Sequence, residues 1–157
     1  MKKVKTNALR ILDTNKINYE VKEYEYDEDH LSGAHVLDQV DLKETEIYKT
    51  LVLKSKDEYL VCCIPVLKQI NLKKLAKETN HKSVEMIPMK DLLNVTGYIR
   101  GGCSPIGMKK KFKTYIQIDI IDEERVAVSA GKRGLQVILA PDDLIRITEA
   151  NLVDVIQ

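Results

Sequence analysis

Six of the seven glycines in this 157-residue chain fall in two short stretches. One is Gly97-Tyr98-Ile99-Arg100-Gly101-Gly102-Cys103-Ser104-Pro105-Ile106-Gly107, the other Ser129-Ala130-Gly131-Lys132-Arg133-Gly134. Glycine tolerates positive φ and lets the main chain approach another group closely. Both stretches carry cations: Arg100 and the run Lys109-Lys110-Lys111 around the first, Lys132 and Arg133 within the second. Bare amides beside fixed positive charge suit a ligand with phosphates or a developing oxyanion. The spacing is neither GxGxxG nor GxxxxGK[ST], so the standard nucleotide loops are excluded. An anion or carbonyl pocket and a surface loop of tight turns both remain open.

Two more side chains stand out. Lys49 lies in Ile47-Tyr48-Lys49-Thr50-Leu51-Val52-Leu53, where alternation sets Lys49 with Leu51 and Leu53 and Thr50 on the other face. Such a lysine either snorkels at a sheet edge or points inward for use. Ser129 ends an apolar run and opens the second glycine stretch, as a nucleophile or a hydrogen-bonding group. A nucleophile needs a base in reach, and His30, His35 and His81 all lie in polar segments without a motif, so a triad is weakly supported. Cys103 is either a thiol activated by neighbouring cations or a small side chain packed under the loop. Cys62 and Cys63 read as strand packing, and the three cysteines form no metal-binding spacing.

The elements around these residues are short. Thr6 caps a helix through Leu9, Ile11 and Leu12 to about Asn15, and residues 17–26 read as a strand. Ser32-Gly33 starts a second helix carrying Val36, Leu37 and Val40. Strands over 48–54 and 59–66 join through a Lys56-Asp57-Glu58 turn. Helices follow behind Asn71 and over 88–95. Residues 114–121, 125–128 and 135–140 are further strands, and Pro141-Asp142-Asp143 opens another helix with acids matched to its dipole. Residues 152–156 read as a short terminal strand or extended tail. Hairpin-like runs rather than strict βα alternation predict an α+β fold, a single domain over 1–157 with a curved, mixed, mostly antiparallel sheet and short helices around it.

Composition narrows the class. Apolar residues make up 44% and charged residues 31%, with net charge +1, which argues against nucleic-acid coating by global charge. The lysine clusters, near residues 2–5, 73–77 and 109–113, leave local phosphate contact open. No apolar run approaches the roughly 18 residues that suggest a membrane span. The expectation is a cytoplasmic protein without metal or cofactor.

Lys5-Thr6-Asn7-Ala8, Tyr48-Lys49-Thr50-Leu51, Thr96-Gly97-Tyr98 through Ser104-Pro105-Ile106-Gly107-Met108-Lys109-Lys110, and Ser129 through Leu135 occur in order along the chain. In these motifs it resembles the YbaK family of aminoacyl-tRNA deacylases, relatives of the editing domain of bacterial prolyl-tRNA synthetases. The resemblance implies trans-editing of mischarged tRNA, chiefly Cys-tRNA(Pro) and in addition Cys-tRNA(Cys), with prolyl-tRNA synthetase a candidate partner. It implies catalytic roles for Lys49, Gly101 and Gly102, and substrate binding by Tyr24, Thr50, Ser129 and Asp143. Contact with tRNA falls to Lys109, Lys110, Lys111, Lys132 and Arg133. It further implies cleavage assisted by the substrate thiol, releasing a cyclic thiolactone, so that the enzyme is lyase-like. A deacylase for another amino acid such as alanine and a non-catalytic tRNA- or synthetase-binding module are the alternatives.

Overall fold

The computed structural model describes residues 5–26, 40–56 and 58–157. Helix α1 (Asn7–Thr14) starts at Thr6, whose Oγ1 accepts the Leu9 N–H, and buries Ala8, Leu9 and Leu12. Side-chain capping of this kind satisfies an N–H that the first turn leaves unpaired. Asn71 does the same for α2 (Leu72–Glu78) through Lys74 N–H. Helix α3 (Leu92–Thr96) follows a 3₁₀ turn over Met89–Asp91, and α4 (Pro141–Thr148) opens on proline with Asp142 and Asp143 in its first turn. The expected helix at Ser32-Gly33 lies outside the described residues, as do His30, His35 and Asp57.

The strands form two sheets rather than one. Strands β1 (Tyr19–Glu23), β7 (Leu135–Leu139) and β6 (Val126–Ser129) make an antiparallel sheet in the order β1-β7-β6. The second sheet runs β4-β2-β3-β5-β8, from β2 (Tyr48–Ser55), β3 (Glu58–Pro65), β4 (Glu85–Met86), β5 (Lys113–Gln117) and β8 (Asn151–Val153). The β3/β5 and β5/β8 pairs are parallel. A parallel bridge between Ile47 and Ala127 ties the sheets together.

One expected strand ends early. Residues 118–121 belong to a 3₁₀ helix over Ile118–Asp122 that buries Ile120 and exposes Ile118 and Ile121. Gln117 explains the break: its Nε2 donates to Asp119 and Asp154, and its Oε1 accepts the Val155 N–H. The buried amide is thus fully used by the turn and by the segment after β8.

The largest core packs α1, α4, Tyr48, Cys63, Ile116 and the Val126, Val128, Leu135, Val137 and Leu139 face of the small sheet. On the opposite face of β6 and β7, Ala127 and Ile138 pack with Val40, Ile47 and Val66. A third cluster, including Leu53, Leu60, Cys62 and Ile64, covers the far end of the second sheet against α2.

Candidate active site

The two glycine stretches are one structure. Ile99 to Gly102 form a turn closed by Gly102 N–H donating to Ile99 O at 2.9 Å, with Gly101 at φ +85. Positive φ at the third turn position is the type II requirement that favours glycine. Gly102 serves a different need: a Cβ there would stand 2.9 Å from Arg133 N and 3.1 Å from Lys132 C. The loops therefore touch backbone to backbone, and Arg133 Nε adds a 2.8 Å bond to Arg100 O. Tyr98 locks the assembly. Its hydroxyl donates to Ile106 O at 2.6 Å, and its ring lies against Gly131.

Tyr24 joins this corner from β1. Its N–H donates to Gly134 O at 3.0 Å, continuing the β1/β7 ladder, and its hydroxyl faces Gly101 O at 3.5 Å. Ser129 sits half-buried at the end of β6 and accepts the Gly131 N–H at 3.2 Å. The Ile47–Ala127 bridge is parallel, so two residues further on Lys49 and Ser129 project to the same side. Lys49 falls between the Ile47/Val66 cluster and the Leu53/Cys62/Ile64 cluster, opposite Ile64 in the β2/β3 register. It is half-buried, with no carboxylate partner among the described residues. Burial alone lowers its pKa from the ordinary 10.5.

Other expected residues stand apart. Thr50 faces the opposite side of β2, its Oγ1 3.8 Å from Cys63 Sγ. Asp143 sits in α4, which packs on the face away from Ser129, and its carboxylate is held by Arg146 at 2.8 Å. The pair of loop amides narrows as well. Gly102 N–H is spent on the turn, while Gly101 and Cys103 N–H groups have no acceptor among the described residues. The Cys103 thiol packs near Val52, Ile87 and Leu92, and burial pushes its pKa up to about 11, which makes it inert rather than activated. Among the described residues no base reaches Ser129, since His81 is engaged between Thr79 and Glu58 on another part of the molecule.

The cations line two grooves beside α1. Lys132 and Arg133 border one of about 610 Å³ with Lys5, Lys22, Glu20 and Glu23. Lys110 and Lys111 border the other, about 240 Å³, beside Pro105 to Met108. Lys109 reaches Asn94 O at 3.4 Å, and Lys111 pairs with Glu149. Gln136 is not among the sequence-predicted residues, yet it is buried beside Ser129 with an unsatisfied Oε1. The available signal was one amide inside Leu135-Gln136-Val137-Ile138-Leu139, a strand buried on both faces.

A half-buried ammonium, a hydroxyl and unengaged amides, placed beside cationic loops, with no activated nucleophile among the described residues, suit a domain that acts on an activated ester of a polyanion. The chain belongs to the family described as "Aminoacyl-tRNA editing domain", which residues 30–147 match. It is 43% identical over 152 residues to the Enterococcus faecalis (strain ATCC 700802 / V583) protein named "Putative Cys-tRNA(Pro)/Cys-tRNA(Cys) deacylase EbsC", covering 96% of this chain and 93% of the relative. Its fold is that of a solved structure described as "a putative trans-editing enzyme for prolyl tRNA synthetase", with TM-score 0.84, 18% identity and 99% of each chain covered. It is also that of "hypothetical protein APE2540", with TM-score 0.87, 17% identity, and 97% and 100% covered. Among the described residues, no helix is long and apolar enough to cross a membrane.

Proposed function

We propose that this protein removes cysteine from mischarged proline tRNA, acting in trans on Cys-tRNA(Pro), with Cys-tRNA(Cys) as a further substrate. The observation that carries the reading is Lys49, a half-buried ammonium on the side that Ser129 shares, with no partner carboxylate for Lys49 and no base at Ser129 among the described residues. The name of the 43% identical relative supports the choice of amino acid and tRNA.

Among the described residues no base activates Ser129, and the substrate brings a nucleophile of its own. The cysteinyl thiol attacks its own ester carbonyl. A C–S bond forms and the C–O bond to the ribose breaks. The thiol proton ends on the departing ribose oxygen. Water then opens the released thiolactone to cysteine. A well-aligned intramolecular attack reaches effective molarities of about 10⁵ M or more, worth on the order of 7 kcal/mol. A free thiol with pKa about 8.5 is only a few per cent thiolate at neutral pH, so nearby positive charge helps it. Lys49 supplies that charge and Gly101 N–H steadies the carbonyl oxygen. Ser129 and Tyr24 orient the aminoacyl group. Lys132, Arg133 and the Lys109 to Lys111 run meet the tRNA backbone. Thr50, turned toward Cys63, and Asp143, paired with Arg146, are given no role in this reading.

The test is deacylation of tRNA charged with cysteine, alanine, serine or proline, with and without prolyl-tRNA synthetase. Rapid loss of cysteine alone is expected. Equally fast loss of serine overturns the thiol mechanism, preference for alanine overturns the substrate, and binding without turnover of any of them overturns the catalytic reading.

A further inference from the structure

Gln136 is 5% exposed in the middle of β7, and its Oε1 is buried with no hydrogen-bond donor. β7 is the central strand of its sheet, so Gln136 is flanked by Lys22 on β1 and Ser129 on β6. Cross-strand partners share a face. Tyr24, two residues beyond Lys22, shares it too and packs with Ile47, Ala127 and Ile138. Neither flanking side chain meets the need. Ser129 Oγ accepts from Gly131 N–H without a bond to Gln136, and exposed Lys22 makes none either. A buried amide oxygen left without a donor is rare and costly in a native protein. It costs least where a ligand brings the donor.

We propose that Gln136 is a specificity residue for the unblocked α-amino group, its Oε1 accepting an N–H of the substrate's α-ammonium. This rests on the aminoacyl-ester reading above. Beside the ester the aminoacyl group offers two donors, a weak thiol and a charged ammonium with three N–H groups. The ammonium forms the stronger bond with a neutral carbonyl. Acylating that nitrogen removes the charge and two of the three N–H groups and adds a bulky carbonyl, so the charge-assisted bond is lost. The site then rejects N-blocked esters, peptidyl-tRNA among them. Tyr24 borders this face and is held to Gly101 O by a contact of only 3.5 Å, so its displacement opens the way to Oε1.

The full-length protein is assayed on Cys-tRNA(Pro) and N-acetyl-Cys-tRNA(Pro), each rate divided by the uncatalysed rate in the same buffer. The variants are Gln136→Met and Gln136→Glu, and thermal unfolding without tRNA is measured for each. The wild type is expected to favour the free amine by about tenfold or more. Gln136→Met loses that ratio through slower cleavage of the free amine, while its melting temperature stays level or rises. Gln136→Glu keeps the acceptor and the preference. Equal wild-type rates on both substrates overturn the proposal. So does an unchanged ratio in Gln136→Met, or an equal fall on both substrates together with lost stability. The α-ammonium is common to all aminoacyl esters, so if cysteine proves the wrong substrate the ratio is read on whichever amino acid is cleaved. Cleavage of none sinks both readings.

Discussion

Gly102 and Arg133 meet without a side chain between them: a Cβ on Gly102 would come within 2.9 Å of Arg133 N. Neither atom belongs to a flexible side-chain end, so the contact has nowhere to yield. Replacing Gly102 with alanine must separate the loops. Overpacking of this kind typically costs about 1–3 kcal/mol. The Gly101 amide and Tyr24 move with the loop, so deacylation should fall at least tenfold. Denaturant unfolding and kcat/KM for Cys-tRNA(Pro) check the two effects separately.

Lys49→Met should lower deacylation by about 10²-fold, the usual size for losing one preorganised electrostatic group in an active site. Stability should hold or improve, because the substitution removes a charge that burial disfavours. Joint loss of activity and of the folded state would instead mark Lys49 as structural.

The wild-type pH profile carries a second sign of the same residue. Burial lowers the Lys49 pKa below 10.5, so the ammonium is lost at a lower pH than in a free lysine. Activity should therefore decline on the alkaline side before pH 10.5 is reached. The unfolded chain holds this proton more tightly than the folded one. The Lys49 contribution to stability thus rises with pH through the window just under 10.5. A pH–rate profile of wild type beside Lys49→Arg, in which the charge persists, separates the two.

Tyr48 presents the opposite case, a hydroxyl with no functional reading. It is 2% exposed in the main core and its oxygen has no partner. Burial, with Asp119 and Glu123 behind it, pushes its pKa well above the phenolic range. Tyr48→Phe removes an unsatisfied group, so it should be neutral or stabilising by up to about 1 kcal/mol, with deacylation unchanged. Chemical denaturation curves of the two proteins decide this.

Glu58 accepts from His81 at 2.8 Å and pairs with Lys113 at 3.1 Å. The His81 bond, then Lys113, holds its carboxyl below the usual 4.5. A depressed carboxylate adds stability that is present above 4.5 and lost as pH falls through the folded value. His81→Ala should therefore weaken the protein at pH near 7 and much less once Glu58 is protonated. Urea midpoints at neutral and acid pH measure it. An equal loss at both would assign the effect to the α2 terminus, where the His81 ring Nδ1 meets Thr79 Oγ1 at 2.7 Å.

Local chemistry was readable from the chain wherever it acts over a few residues. Thr6, Asn71 and Pro141 announced their helices because capping and a fixed φ operate within one turn. The β2/β3 hairpin followed from alternation, and so did the opposite facing of Lys49 and Thr50. Gly101 was legible as a positive-φ position. Gly102 was not, because its reason is a loop some thirty residues away, and the turn takes up its amide. Asp143 looked useful by resemblance, but the sheet places it behind the core. Residues 118–121 carry strand-like isoleucines, and only the tertiary demands on Gln117 end the strand before them. The split into two sheets, joined at Ile47 and Ala127, rests on one long-range bridge with no local signature.

Tyr98 touches both glycine stretches, through its hydroxyl on Ile106 O and its ring on Gly131. Neither loop is then free to drift alone over evolutionary time. A larger residue at 131 demands a smaller one at 98, and that change unfastens the turn at 106. The two segments should vary as a matched set, inherited together or lost together.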